Sequence, residues 1–191
     1  VIERIHGTRD SLEIHMFVWR NDAIGREIGQ AVLDAASRGV KVLIRKDVGA
    51  RLFECVEMNR KPFLQVPLGL LAKLHYRGVG LTFPKTLVHD DLDDELGAAL
   101  MAHPNVALQW VQHTHTKYYV FDEHVLITGS VNIEDRHRLY RDYMVEISGT
   151  DHVQRFRQRL ANETAYDSGR HLDFALNSSG DQLSLASVKG P

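Results

Sequence analysis

Residues 11–44 read SLEIHMFVWRNDAIGREIGQAVLDAASRGVKVLI, and their periodicity changes twice. From Ser11 to Trp19, Leu12, Ile14, Met16 and Val18 alternate with Glu13, His15 and Phe17, the period of two expected of a strand. From Ala23 to Ser37, Ile24, Ile28, Ala31, Val32, Ala35 and Ala36 recur at helical spacing, behind an N-cap offered by Asn21-Asp22. Gly39 stops that helix, and Val40 to Ile44 is again strand-like. Strand, helix and strand in this order imply a right-handed crossover joining two parallel strands.

The pattern continues outward. Helices are expected at Ala50–Met58, Pro67–Tyr76, Asp90–Ala102 and His152–Ala165. Further strands are expected at Val79–Phe83, Val106–Val111, Lys117–Phe121, Val125–Thr128 and Tyr143–Ser148. The expected fold class is α/β, a mixed, largely parallel central sheet with helices on both faces. One domain is expected over residues 1–176, with a Ser- and Gly-rich tail or linker over 177–191. In the helix after Pro67, Leu68, Leu70, Leu71 and Leu74 are expected to pack on the sheet; insertion into a membrane interface is the alternative.

Composition narrows the class. The chain has 191 residues, 43% hydrophobic and 25% charged, with net charge -2. A dedicated nucleic-acid binder would carry a basic excess, which is missing here. The single cysteine, Cys55, rules out an internal disulfide and is expected to be a small buried hydrophobe. No apolar run reaches the roughly 18 residues that cross a bilayer, and no signal segment opens the sequence. Localisation is left between the cytoplasm and a membrane periphery. The Val1 start suggests a processed chain or a piece of a longer one.

The chemistry concentrates in His115-Thr116-Lys117-Tyr118-Tyr119-Val120-Phe121-Asp122 and Gly129-Ser130-Val131-Asn132. Alternation puts His115 and Lys117 on one face of a strand and Asp122 on the other. Lys117 offers a point charge to non-bridging phosphate oxygens. His115 can attack phosphorus and exchange protons near neutrality. Gly129-Ser130 is expected to form a turn at which backbone approaches the ligand closely, and Asn132 adds an amide donor. Asp122 is read as structural. His113 and His115 form a His-x-His pair, but no further ligand lies nearby in sequence, so neither metal nor cofactor is expected. Trp110, Tyr118 and Tyr119 are read as core rather than cleft. Arg136, His137, Arg138 and Arg141 form a basic cluster suited either to solvent or to a phosphate or headgroup.

His-x-Lys, four residues, Asp, six residues, Gly-Ser, one residue and Asn together resemble the HKD signature of the phospholipase D superfamily. Ala35 to Val42 and Arg141 to Ile147 are similar to segments of the amino-terminal half of bacterial cardiolipin synthases, and the likeness spans about Ser11 to Ala165. The resemblance implies a two-step, metal-independent enzyme that hydrolyses a phospholipid phosphodiester or transfers its phosphatidyl group through a phosphohistidine. It makes His115 nucleophile or general acid. Lys117, Ser130 and Asn132 become phosphate-binding or orienting residues, Gly129 part of the structural motif, and Asp142 the carboxylate that holds the His tautomer. An endonuclease of the same superfamily is the alternative, and a non-enzymatic copy of the fold a further one, disfavoured by the intact motif. The second imidazole that the chemistry requires is absent from a one-motif chain. The resemblance implies that it comes from a homodimer or from a carboxy-terminal half, with the second route favoured by the Val1 start and the tail. Peripheral membrane contact is compatible with a phospholipid substrate.

Overall fold

The computed structural model describes residues 1–56, 61–65, 70–81, 93–111, 115–168, 172–176 and 183–187. The crossover forms as the sequence predicts. Strand β1 (Ser11–Met16) leads through helix α2 (Ala23–Ser37) to β2 (Lys41–Asp47), and β1 pairs parallel with β2, Leu12 facing Val42 and Ile14 facing Ile44. A short helix that periodicity did not single out, α1 (Ile2–Gly7), precedes β1. Strands β3 (Val106–Val111), β4 (Lys117–Phe121), β5 (Val125–Gly129) and β6 (Met144–Ser148) complete a six-stranded sheet in the order β3-β2-β1-β4-β5-β6. Strands β1, β2, β3 and β5 run one way, β4 and β6 the other, so the sheet is mixed as expected.

Both faces are covered. Leu12, Ile14, Met16, Val42, Ile44, Tyr119 and Phe121 pack with Ile28, Val32 and Ala35 of α2 and Leu100 of α5 (Glu95–Ala102). On the other face Tyr118, Val120 and Leu126 pack with Val153, Phe156 and Leu160 of α6 (Thr150–Ser168). The second face therefore buries polar groups of β1, and Glu13 is only 6% exposed. Its carboxylate is satisfied by the Tyr118 hydroxyl at 2.6 Å, by Arg45 at 2.9 Å and by Arg157. A buried carboxylate is tolerated when it is paired and hydrogen-bonded in this way.

Several expectations change. β1 ends at Met16, and Trp19 and Arg20 instead make isolated bridges to Ile133 and Pro62. Val79, expected to open a strand, lies in helix α4 (Leu70–Gly80); residues 82 and 83 of that expected strand fall outside the described residues. Among the described residues helix α4 packs chiefly on α3 (Val48–Val56) and leaves Leu70, Leu71 and Leu74 exposed. Cys55 is partly exposed. Strands β7 (Leu172–Leu176) and β8 (Leu183–Ser187) form a separate antiparallel pair, the second within the stretch read as a tail or linker.

Asp122 illustrates how the motif serves the fold. It and Glu123 have φ of 48° and 57° and turn β4 into β5, with His124 N–H donating to Phe121 O at 3.0 Å. Asp tolerates this left-handed conformation better than most side chains. Its carboxylate accepts from the N–H groups of Arg9, Asp10 and Ser11, at 3.1, 2.8 and 3.0 Å. Three donors of the chain entering β1 are thereby tied to the β4–β5 turn, and they hold the Asp122 carboxyl below its ordinary value against the opposing effect of burial. Asp122→Ala is expected to lower stability by roughly 1–3 kcal/mol in urea denaturation at pH 7. Because the folded carboxyl is the more acidic, that contribution is present at neutral pH and disappears as pH falls through its lowered value, below 3.8. An unchanged urea midpoint at pH 7 would contradict the role.

Candidate active site

β4 runs against β1 and β5, so its amino end meets their carboxyl ends at one edge of the sheet. Lys117 begins β4, Phe17 and Val18 follow β1, and Ser130 to Asn132 follow β5. The two exit loops are joined backbone to backbone: Ile133 N–H donates to Val18 O at 3.1 Å and Arg20 N–H to Ile133 O at 2.9 Å. Asn132 Oδ1 accepts from Val18 N–H at 3.2 Å. Beyond this seam Asp22 caps α2 through Gly25 N–H at 3.0 Å and accepts Asp135 N–H at 2.8 Å. Asp135 in turn accepts Ala23 N–H at 3.2 Å and Ile24 N–H at 3.1 Å. Two aspartates thus satisfy the open donors at the start of α2 and fix the loop after Asn132 to it.

His115 is exposed and Lys117 buried. Lys117 Nζ donates to His115 O at 2.7 Å and lies 3.2 and 3.3 Å from the two ring nitrogens, so it binds neither nitrogen alone. The ring packs edge-on against Phe17, with centroids 4.5 Å apart, and Phe17 also backs the Lys117 ammonium at 5.4 Å. Burial, followed by the charge of Lys117, lowers the His115 pKa; burial also lowers that of Lys117. The result is an imidazole biased toward its neutral, nucleophilic form beside an ammonium that gains from an anion.

Asp142 was expected to hold the tautomer of His115. Its carboxylate instead accepts from Ser130 Oγ at 2.7 Å and pairs with His137 Nδ1 at 2.7 Å. The Ser130 and His137 hydrogen bonds lower its pKa, and the charge of Lys117 contributes to the same shift. The other nitrogen of His137 lies 3.3 Å from the Asn132 amide and 3.3 Å from Glu134. A Cβ at Gly129 would stand 2.2 Å from Tyr143 O and 2.9 Å from Met144 Cα. The close approach it permits is that of β6, which brings Asp142 to Ser130.

The structure therefore brings together His115, Lys117, Ser130, Asn132 and Asp142 around one sheet edge and leaves Asp122 at the far end of β4. Phe17 and Val18, which pattern reading took as strand, line the site. His137 was legible only as one member of a basic cluster, because its carboxylate partner is set by the 3₁₀ turn Asp135–Leu139. Arg136 pairs with Glu134 at 3.2 Å, and Tyr118 and Tyr119 are core. His113 lies outside the described residues; among the described residues no group of three His, Cys, Asp or Glu side chains is placed to hold a metal. Replacing Lys117 by Met removes a positive charge beside His115. Its imidazole pKa, read by NMR titration, is expected to rise toward 6.5; an unchanged titration would contradict the coupling.

A family model described as cardiolipin synthase, PLD-like domain matches residues 1–163. Among solved structures, NucT from Helicobacter pylori superposes with a TM-score of 0.52 at 16% identity, over 84% of this chain and 82% of that one. Nuc from Salmonella typhimurium, described as a phospholipase D family member, gives a TM-score of 0.49 at 15% identity, over 84% and 82%. Phosphatidylserine synthase from Haemophilus influenzae gives 0.47 at 14% identity, over 87% of this chain and 34% of that one. No curated protein matches the sequence.

Proposed function

The chain belongs to the family of cardiolipin synthase, PLD-like domains, and from that premise we propose that it hydrolyses or exchanges the phosphodiester of a phospholipid through a phosphohistidine on His115. The observation that carries the reading is the exposed His115 imidazole held against the buried Lys117 ammonium at 3.2 and 3.3 Å. A phosphodiester carries one negative charge, and Lys117 is a buried cation oriented toward the nucleophile. Neutral His115 attacks phosphorus and the phosphorus–oxygen bond to the leaving alcohol breaks. A second imidazole gives that alcohol its proton, then takes one from the water or alcohol that opens the phosphorus–nitrogen bond. Lys117 and the Asn132 amide face the charge that builds on the non-bridging oxygens. Ser130 and His137 hydrogen-bond the Asp142 carboxylate and hold it in place beside the phosphate-binding groups. The second imidazole comes from another copy of the chain related by a two-fold axis, or from a carboxy-terminal half.

His115→Asn is expected to abolish turnover with the fold intact. Lys117→Ala and Asn132→Ala should each cost ~10²–10³ in rate, the scale of removing one charge-stabilising donor. Wild-type turnover in His115→Asn would overturn the mechanism. Because Lys117 provides the positive charge, activity on phosphatidylglycerol should survive a chelator; complete loss restored by zinc or magnesium would reassign the histidines to a metal. Phosphatidylglycerol, phosphatidylcholine and single-stranded DNA assayed side by side decide the substrate. Cleavage of DNA with no action on either lipid would install the endonuclease reading in place of this one.

A further inference from the structure

Helix α4 turns a row of leucines toward solvent. Leu70, Leu71 and Leu74 are 74%, 83% and 59% exposed, and Leu81, directly after the last turn, is 73% exposed. At about 100° per residue, positions 70, 74 and 81 fall within an arc of roughly 40°, with Leu71 beside them. Phe53 of α3, the helix on which α4 packs, is also exposed. Arg77 is exposed and shares the leucine face, one turn from both Leu74 and Leu81. A monomeric protein rarely presents such a row of large aliphatic side chains to water without a partner for it.

Charge identifies that partner. Between Glu57 and Asp90 the sequence contains Arg60, Lys61, Lys73, Arg77 and Lys85 and no acidic residue, in a chain whose net charge is -2. An apolar stripe that carries an exposed Arg77, in a length of sequence with no acidic residue, complements a surface that is apolar below and anionic above, which is the chemistry of an anionic phospholipid leaflet. We propose that α4 is an interfacial docking helix that seats Leu70, Leu71, Leu74 and Leu81 among the acyl chains of an anionic phospholipid surface, with Arg77 at the headgroup level. This rests on the phospholipid reading for the kind of surface approached, and gives that reading a way to bring a soluble site to a lipid substrate. A second copy of the chain would bury the same leucines but would bring Arg77 against its own image across a two-fold axis.

The test is co-sedimentation with vesicles, which needs no turnover. Wild-type protein and His115→Asn should both pellet with vesicles of phosphatidylglycerol and phosphatidylcholine in equal amounts, and poorly with phosphatidylcholine alone. Leu70→Ser combined with Leu74→Ser should weaken that binding roughly tenfold or more, with little change in thermal unfolding because both side chains are mostly in water. Arg77→Gln should weaken it less, and raised salt should reduce the difference between the two vesicle types. Equal binding by wild type and the double leucine variant, or no binding to anionic vesicles, would overturn the proposal. So would a dimer that the leucine variant splits without any loss of vesicle binding. Hydrolysis of detergent-dispersed lipid without docking would sink this inference alone. Docking without action on any phospholipid would sink the substrate reading alone.

Discussion

The site depends on the seam where Trp19 and Ile133 pair. β1 and β5 are separated by β4 in the sheet, and their exit loops would diverge without it. The bonds across the seam, Ile133 to Val18 and Arg20 to Ile133, are ordinary backbone hydrogen bonds, each of about 1 kcal/mol net. What makes them persist is burial, since Trp19 and Ile133 are both 1% exposed or less. From the opposite side the β1 exit is held by a buried ion pair. Lys46 Nζ reaches Glu54 at 2.6 Å and Phe17 O at 2.9 Å, and Trp19 N–H donates to the same Glu54 at 2.6 Å. Arg20 adds donors to the carbonyls of Glu54 and Phe53. Such a pair is weak evidence for stability, but removing either partner would strand a charge, so it fixes position. Phe17 and Val18, one touching His115 and the other Asn132, are clamped between these two sets of contacts.

The electrostatics of the edge follow from this packing. Lys117 is inside because β4 is central, and burial leaves its ammonium with neutral acceptors: the His115 carbonyl and ring. The carboxylate that influences it among the described residues, Asp142, is engaged by a hydroxyl and an imidazole. Among the described residues Lys117 has no direct ion-pair partner, in a chain whose overall charge is slightly negative. A phosphodiester is attracted by local arrangement rather than by the field of the whole molecule.

Much of this was legible. The alternation of β1, the cap at Asp22 and the stop at Gly39 are local signals, and α2 has the bounds that they predict. Asp122 lies in the turn after β4, outside the reach of alternation, and its three partners at residues 9 to 11 lie over a hundred positions away and carry no pattern. Other features were hidden for physical reasons. Val79 reads as strand because a short apolar run looks alike in a helix and in a strand. The leucines of α4 form the same stripe whether they face core or water, and only the placement of α3 decides which. The pairing of Asp142 with His137 depends on β6 passing against Gly129, a contact between two backbones that leaves no trace except the missing side chain.

The central claim is a covalent bond between phosphorus and His115. Protein mixed with a phospholipid substrate should be quenched in base, which preserves a phosphorus–nitrogen bond, then digested and mapped by mass. The account predicts a phosphoryl or phosphatidyl adduct on the peptide that carries His115, present in the wild type and absent from His115→Asn. Steady turnover with no adduct at His115, or an adduct on another side chain, would contradict it.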